Sequence, residues 1–357
     1  MVSKRSNLHI LPKQQTFLEL TPRLLRRLAT ATLVLASMVV LAGSIVRMTG
    51  SGMGCPDWPK CFGLAIPPTS VDEVTWTQGA EYAPGRMLLA DDTLWVAQET
   101  VLAENFEKEQ TRGVWEPYTR HDYAIFNPMH TWVEFINRLI GALTGIPAFF
   151  LALGTFLWGR RRKNWRPFLW SLANLFLLGL VAWMGKKVVD GNLIPFSITL
   201  HMLGAVAILL VLTAAWMSLA TPWTGESLKR RNWLIVAVVL TGIQLIGGTQ
   251  VREQVDLLSH TELLRSDWLD GLPAWWKWHR TGSWLILAVQ LFWAWPNRRI
   301  APVVRWSMAF VLLQMGTGIL FVFASMPAWT QPLHLALAMG LLVSNGWSLM
   351  RFSGARN

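Results

Sequence analysis

Eight stretches of this chain are long and apolar enough to cross a bilayer, and that repetition limits the fold more than any other feature. A helix needs about 20 consecutive apolar residues to span the hydrocarbon core. The stretches fall at 28–47, 132–157, 167–184, 198–219, 232–250, 278–295, 302–324 and 331–350. Leu, Ala, Val, Gly and Trp fill them, without the polar–apolar alternation of a barrel strand. The expected fold class is an all-α integral membrane protein with eight transmembrane helices.

Charge sets the orientation. Lys4, Arg5, Lys13, Arg23, Arg26 and Arg27 precede the first stretch, and basic runs recur at 160–163, 229–231 and 298–299 before Arg351 and Arg356. Short cytoplasmic loops collect Lys and Arg, so both termini are expected in the cytoplasm, as in a multi-pass protein of a bacterial plasma or inner membrane. Of 21 acids, 12 lie within 48–131 and five within 253–270. The net charge of +11 thus follows membrane topology and excludes a nucleic-acid partner; membrane lipid is the expected surroundings. The polar, basic leader lacks a small-residue cleavage site and marks the first stretch as a retained signal anchor.

The chain divides into a cytoplasmic segment 1–27, a first four-helix half 28–219 with a long outer loop 48–131, a cytoplasmic linker 220–231, a second four-helix half 232–350 and a cytoplasmic tail 351–357. The halves resemble each other. Gly43-Ser44-Ile45-Val46-Arg47 parallels Gly247-Gly248-Thr249-Gln250-Val251-Arg252, and Asn137-Arg138 parallels His279-Arg280. Trp183-Met184-Gly185 parallels Gln314-Met315-Gly316, and Leu200-His201 parallels Leu333-His334. Four helices per repeat keep both halves in one orientation, which predicts two parallel-repeat four-helix bundles.

His130, His201, His279 and His334 stand where apolar stretches begin, all on the outer side. A histidine inside a membrane helix is a functional residue by default, and imidazoles on facing helices hold haem iron. His279 and His334 form the ligand set of a six-coordinate b-type haem. In the first half His201 has Asn137 opposite, a poor iron ligand. His9, His121 and His260 are expected in solvent.

His130, Glu134, Asn137, Gly141 and Thr144 share one helical stripe. Glu134 is the single acid well inside an apolar stretch. Either it pairs with Arg138 four residues on, or it serves a bound group as proton donor or acceptor. Gly141 and Gly145 would let a flat macrocycle approach the backbone. Arg47, Arg138, Arg252 and Arg280 at outer helix ends are candidates for binding haem propionates bidentately, or they snorkel to lipid headgroups. Cys55 and Cys61 form a disulfide in an oxidising compartment, or remain two thiols; no histidine in that turn completes a metal site. Within the outer loop, 91–108 looks helical, with Leu94, Val101 and Leu102 as its apolar stripe. The loop covers the first half or docks a partner.

Taken together, Gly43 to Gly52, the segment Gly54-Cys55-Pro56-Asp57-Trp58-Pro59-Lys60-Cys61, Glu134-Phe135-Ile136-Asn137-Arg138 and the later histidines resemble the haem A synthase family over about 28–350. The resemblance implies an oxidoreductase that converts the C8 methyl of haem O to a formyl group, giving haem A for cytochrome oxidase. It implies a haem b cofactor held by His279 and His334, substrate haem O near His201 and the catalytic Glu134, and a disulfide between Cys55 and Cys61 over the substrate. Haem O synthase and an unidentified electron donor are the expected partners. The family reads His-Arg where this chain reads Asn137-Arg138. The second substrate ligand is then His130, with a shifted haem or a helix unwound at Pro128, or the iron is five-coordinate through His201 and open beside Glu134; the open site is the favoured expectation. Other expectations for such a fold are a two-haem electron carrier and a transporter.

Overall fold

The computed structural model describes residues 21–119, 126–190, 197–222, 227–259 and 261–352; His9, His121 and His260 lie outside them. Ten helices are present among these residues: α1 (Pro22–Met48), α2 (Phe106–Thr111), α3 (Pro128–Arg162), α4 (Arg166–Asp190), α5 (Ser197–Ser218), α6 (Arg231–Ser259), α7 (Trp268–Gly271), α8 (Trp276–Asn297), α9 (Pro302–Phe323) and α10 (Thr330–Phe352). All but α2 and α7 are long, and each long helix matches one of the eight apolar stretches, α5 and α9 ending one residue short of theirs. Local sequence sets their starts. Pro22, Pro128 and Pro302 open α1, α3 and α9, where the missing N–H costs nothing. The Asn127 side chain caps α3 by accepting from the amides of Met129 and His130.

Seven of the long helices are apolar and long enough to cross a membrane, and the chain is a membrane protein. The eighth, α8, falls outside that set because its apolar run is interleaved with Lys277, Arg280, Gln290 and four Trp up to Trp293. Tryptophan is amphipathic and ranks low as a membrane-core residue, favouring the interface.

The packing follows one order twice. α1 packs on α3, α3 on α4, α4 on α5 and α5 back on α1; α6 packs on α8, α8 on α9, α9 on α10 and α10 back on α6. The two sets meet where α10 touches α1 and α5, and where α5 touches α6. Leu25, Ala29, Leu151, Leu209, Leu212 and Leu342 belong to the core joining them.

The long loop after α1 is a folded cap rather than a helix-bearing tether. Strands β2 (Met87–Ala90), β3 (Thr93–Ala97) and β5 (Trp115–Pro117) form one antiparallel sheet, and β1 (Glu81–Tyr82) pairs with β4 (Val101–Leu102). The helix expected over 91–108 is therefore wrong. Leu94 and Val101 point from short strands, Asp91 and Asp92 make a left-handed turn, and only α2 is helical, beyond that stripe. Cys55 and Cys61 are joined in a disulfide and packed with Phe62, Val74, Met87 and Leu94 against Phe135 of α3. The cap thus sits on the first half.

Its second core surrounds Glu109, which accepts from Trp76 Nε1 at 3.2 Å, Trp115 Nε1 at 2.9 Å and the amides of Glu104 and Asn105. Burial alone would raise its pKa; the hydrogen bonds from Trp115, the two amides and Trp76 outweigh it and hold the carboxyl below the ordinary glutamate value. A depressed folded pKa stabilises the cap above the unfolded value and loses that stabilisation as pH falls through the folded one. Amide exchange over 76–116, corrected for intrinsic rates, should therefore accelerate on acidification below about pH 4. In Glu109→Gln it should already be fast at neutral pH. An exchange profile identical in both proteins would contradict this.

Candidate functional site

His279 and His334 are brought together. α8 carries the first and α10 the second, and their ring centroids lie 6.5 Å apart at an interplanar angle of 60°. Two metal–imidazole bonds of about 2 Å, plus the half-width of each ring, add to roughly 6 Å, so this separation fits one metal ion between the rings. A haem brings four nitrogens of its own, and two imidazoles complete its iron. Small residues clear the space. A Cβ on Gly248 would stand 2.9 Å from His279 Cε1, and one on Gly247 would stand 3.7 Å from Nδ1. Thr317 Oγ1 lies 2.7 Å from His334 Nδ1, which fixes the ring and leaves Nε2 for a ligand. Gln244 donates to the backbone carbonyl of His279, tying α6 to α8 at the same level.

The first half repeats this arrangement with other side chains. A Cβ on Gly43 would lie 3.7 Å from Asn137 Oδ1, as Gly247 lies against His279, and one on Gly185 would lie 3.3 Å from His201 Cε1. Asn137 Oδ1, His201 Nδ1 and His279 Nδ1 are buried with no hydrogen-bond partner among the described residues. Unpaired polar atoms are costly in such surroundings, so both halves hold polar side chains that protein packing alone leaves unsatisfied. Gly185 stands 16 residues before His201, and Gly318 stands 16 before His334. The structure therefore aligns Gly185 with Gly318, whose Cβ would be 3.9 Å from His334 Cε1, and not with Gly316. By that register Met184 takes the place of Thr317, so His201 lacks the hydroxyl that steadies His334.

Above Asn137, Glu134 is buried and both its oxygens are engaged. Oε2 accepts from the Cys55 amide at 2.9 Å, and Oε1 pairs with Arg138. Arg138 also donates to the carbonyls of Cys55, Asp57 and Lys60. The carboxylate–guanidinium pair is thus the socket that receives the disulfide loop. Burial pushes the Asp57 carboxyl in that loop up, against hydrogen bonds from Gly63 and Phe62 and the nearby Arg138. His130 lies against the loop as well: a Cβ on Gly54 would come within 2.5 Å of its carbonyl. α3 is helical from Pro128, so no unwinding brings His130 toward Asn137, two turns or about 10 Å away. Gly141 and Gly145 face open space, with no atom within 4 Å of a Cβ there.

The arginines are partly committed to protein. Arg47 and Arg252 share Asp256, and Arg252 also donates to the Arg47 carbonyl at 2.8 Å and to Gln331. This cluster joins α1 to α6 across the halves. Arg280 is exposed and lies 5.0 Å over Trp276. Asp256 was not singled out from sequence because it falls past the apolar stretch; the signal was its place four residues after Arg252 on a helix that runs on to Ser259.

The family described as cytochrome oxidase assembly protein matches residues 26–91 and 96–345. The chain belongs to that family. The chain is also similar to haem A synthases: the one of Methylobacterium nodulans is 27% identical over 346 residues, covering 87% of each chain. That of Methylorubrum populi is 25% identical over 346 residues, 87% of this chain and 82% of its own. That of Paramagnetospirillum magneticum is 25% identical over 356 residues, 88% and 90% respectively. No solved structure matches. The resemblance to haem A synthases holds across the chain, and this family member is an enzyme of the oxidoreductase class.

Proposed function

We propose that the chain is a haem A synthase, oxidising the C8 methyl of haem O to a formyl group, with haem b as its resident cofactor. The observation that carries this reading is the pair His279 and His334 at 6.5 Å, beside a first half with the same frame but Asn137 at the position of His279. The second half, 232–350, holds haem b by its two imidazoles, and the bound iron supplies one-electron chemistry. The first half, 28–219, holds haem O through His201. Asn137 leaves the opposite side open, which suits a substrate that must bind and leave.

The residues of the chain supply the rest. Glu134 exchanges the proton that the methyl oxidation sets free, once the Cys55 amide or Arg138 yields one carboxylate oxygen. The disulfide loop shuts water from that face. Arg47 and Arg252 lie together as candidates for binding propionates, with donors to spare beside the shared Asp256, and Arg138 and Arg280 are further candidates at outer helix ends. Eight spans in two parallel-repeat bundles, with both termini cytoplasmic, put both sites toward the outer surface. The repeated order of helix packing and the basic inner loops support this topology. Haem O synthase would supply the substrate. The methyl-to-formyl oxidation would draw its oxygen atom either from dioxygen, reduced to water with electrons from an external donor, or from water, with the released electrons passing to an external acceptor.

Co-expression with haem O synthase in cells lacking a haem A synthase should yield haem A in membrane extracts; haem O accumulating alone would refute the reading. Within the haem b site, Thr317→Val should weaken haem b retention by about 10–100-fold, the effect of losing a ligand's orienting partner. Titration of purified protein with a haem-scavenging apoprotein measures it, and unchanged retention would remove Thr317 from the site.

A further inference from the structure

Three turns beyond the histidines, the second half contains a polar cluster that membrane packing does not require. Gln290 and Asn345 exchange amide hydrogen bonds: Gln290 Nε2 donates to Asn345 Oδ1 at 3.1 Å, and Asn345 Nδ2 donates to Gln290 Oε1 at 2.9 Å. Gln290 also donates to Ser307 Oγ at 2.9 Å. All three residues are fully buried. Their positions are ordered: Gln290 stands 11 residues after His279, and Asn345 stands 11 after His334. Each amide is therefore about 16 Å down the helix from its histidine, and the pair joins α8 to α10 at equal depth.

Among the described residues the first half has no such cross-link. By the registers that align Asn137 with His279, Gly185 with Gly318 and His201 with His334, the equivalent residues are Ala148, Asn174 and Leu212. These too are fully buried, which supports the register. Asn174 stands at the station of Ser307, and neither atom of its amide has a partner among the described residues. Its neighbours by this register, Ala148 and Leu212, are apolar. A satisfied buried network fixes one arrangement of its helices, whereas its absence leaves them held by non-directional packing.

We propose that the Gln290–Asn345–Ser307 cluster locks α8 to α10 and so holds His279 and His334 at the spacing of a permanent two-histidine haem site, while the first half, without the lock, can admit and release its haem. The inference rests on the haem b reading above. Gln290 and Asn345 are positioning residues, acting through the helices that carry the ligands. Both length and directionality matter, so exchanging the two amides preserves the link where removing one does not.

The test uses the full chain, purified with its haem. Wild type and His334→Ala are compared first: loss of the low-spin signal in His334→Ala establishes the underlying reading, and its persistence refutes that reading whatever the lock does. With the reading established, Asn345→Leu should broaden or shift the low-spin electron paramagnetic resonance g-values. It should also speed haem loss to an apoprotein on the order of tenfold, because Gln290 Oε1 is left without its donor. Gln290→Asn combined with Asn345→Gln should restore both. Ser307→Ala, which removes one bond and little volume, should give a smaller effect in the same direction and serves if Asn345→Leu does not fold. Wild-type g-values and haem loss in Asn345→Leu, or in Ser307→Ala where that variant stands in, would overturn the lock, as would failure of the exchanged pair to rescue.

Discussion

His334→Ala is expected to abolish the low-spin haem spectrum of the purified protein, whereas His201→Ala is expected to leave it intact and to stop haem O conversion. The two histidines start equivalent helices, so a role shared equally between halves would make the variants alike. The structure makes them unlike. His334 lies beside a second imidazole and is steadied by Thr317; in the first half Asn137 takes the position of His279, and His201 Nδ1 has no partner among the described residues. Losing an orienting partner alone costs about 10–100-fold in affinity, so losing the ligand should exceed that and empty the site during purification. Optical spectra of both variants, with haem A measured in the co-expressing membranes, decide the matter. Equal loss of the low-spin signal in both would mean that each half holds a permanent haem.

Glu134→Gln should lower conversion by about 10²–10⁴-fold, the range for loss of a general acid or base, with the haem b spectrum unchanged. The competing explanation is structural, since Glu134 neutralises Arg138 and holds the Cys55 amide. Removing one partner of a buried pair leaves an uncompensated charge and destabilises by roughly 3–5 kcal/mol, so Glu134→Gln will also be less stable. The double variant Glu134→Gln/Arg138→Gln separates the two effects. It removes both charges and should recover much of the stability, but no activity. Recovery of activity in the double variant would make Glu134 a fastener for the disulfide loop and nothing more.

Much of this was legible in the sequence. Apolar stretches gave the helices, and histidines at helix starts include the pair that the structure brings together, because burying an imidazole in a membrane is costly enough to be informative by itself. The cap was misread because its strands are two to five residues long, too short for alternation to stand out from a helical stripe. The repeat was placed two residues off at Gly316, since Gly316 and Gly318 are interchangeable as letters and only the distance to His334 separates them. Thr317 and the Gln290–Asn345 pair gave no local pattern. Their meaning lies in what stands across from them on another helix.

The central claim is that one half keeps its haem and the other exchanges it. The most direct measurement is the number and identity of haems per chain, in protein co-expressed with haem O synthase, before and after challenge with a haem-scavenging apoprotein. The account predicts haem B retained at one per chain, with haem O and haem A removed. Two haem B per chain, both resistant to the challenge, would contradict it and make the protein an electron carrier.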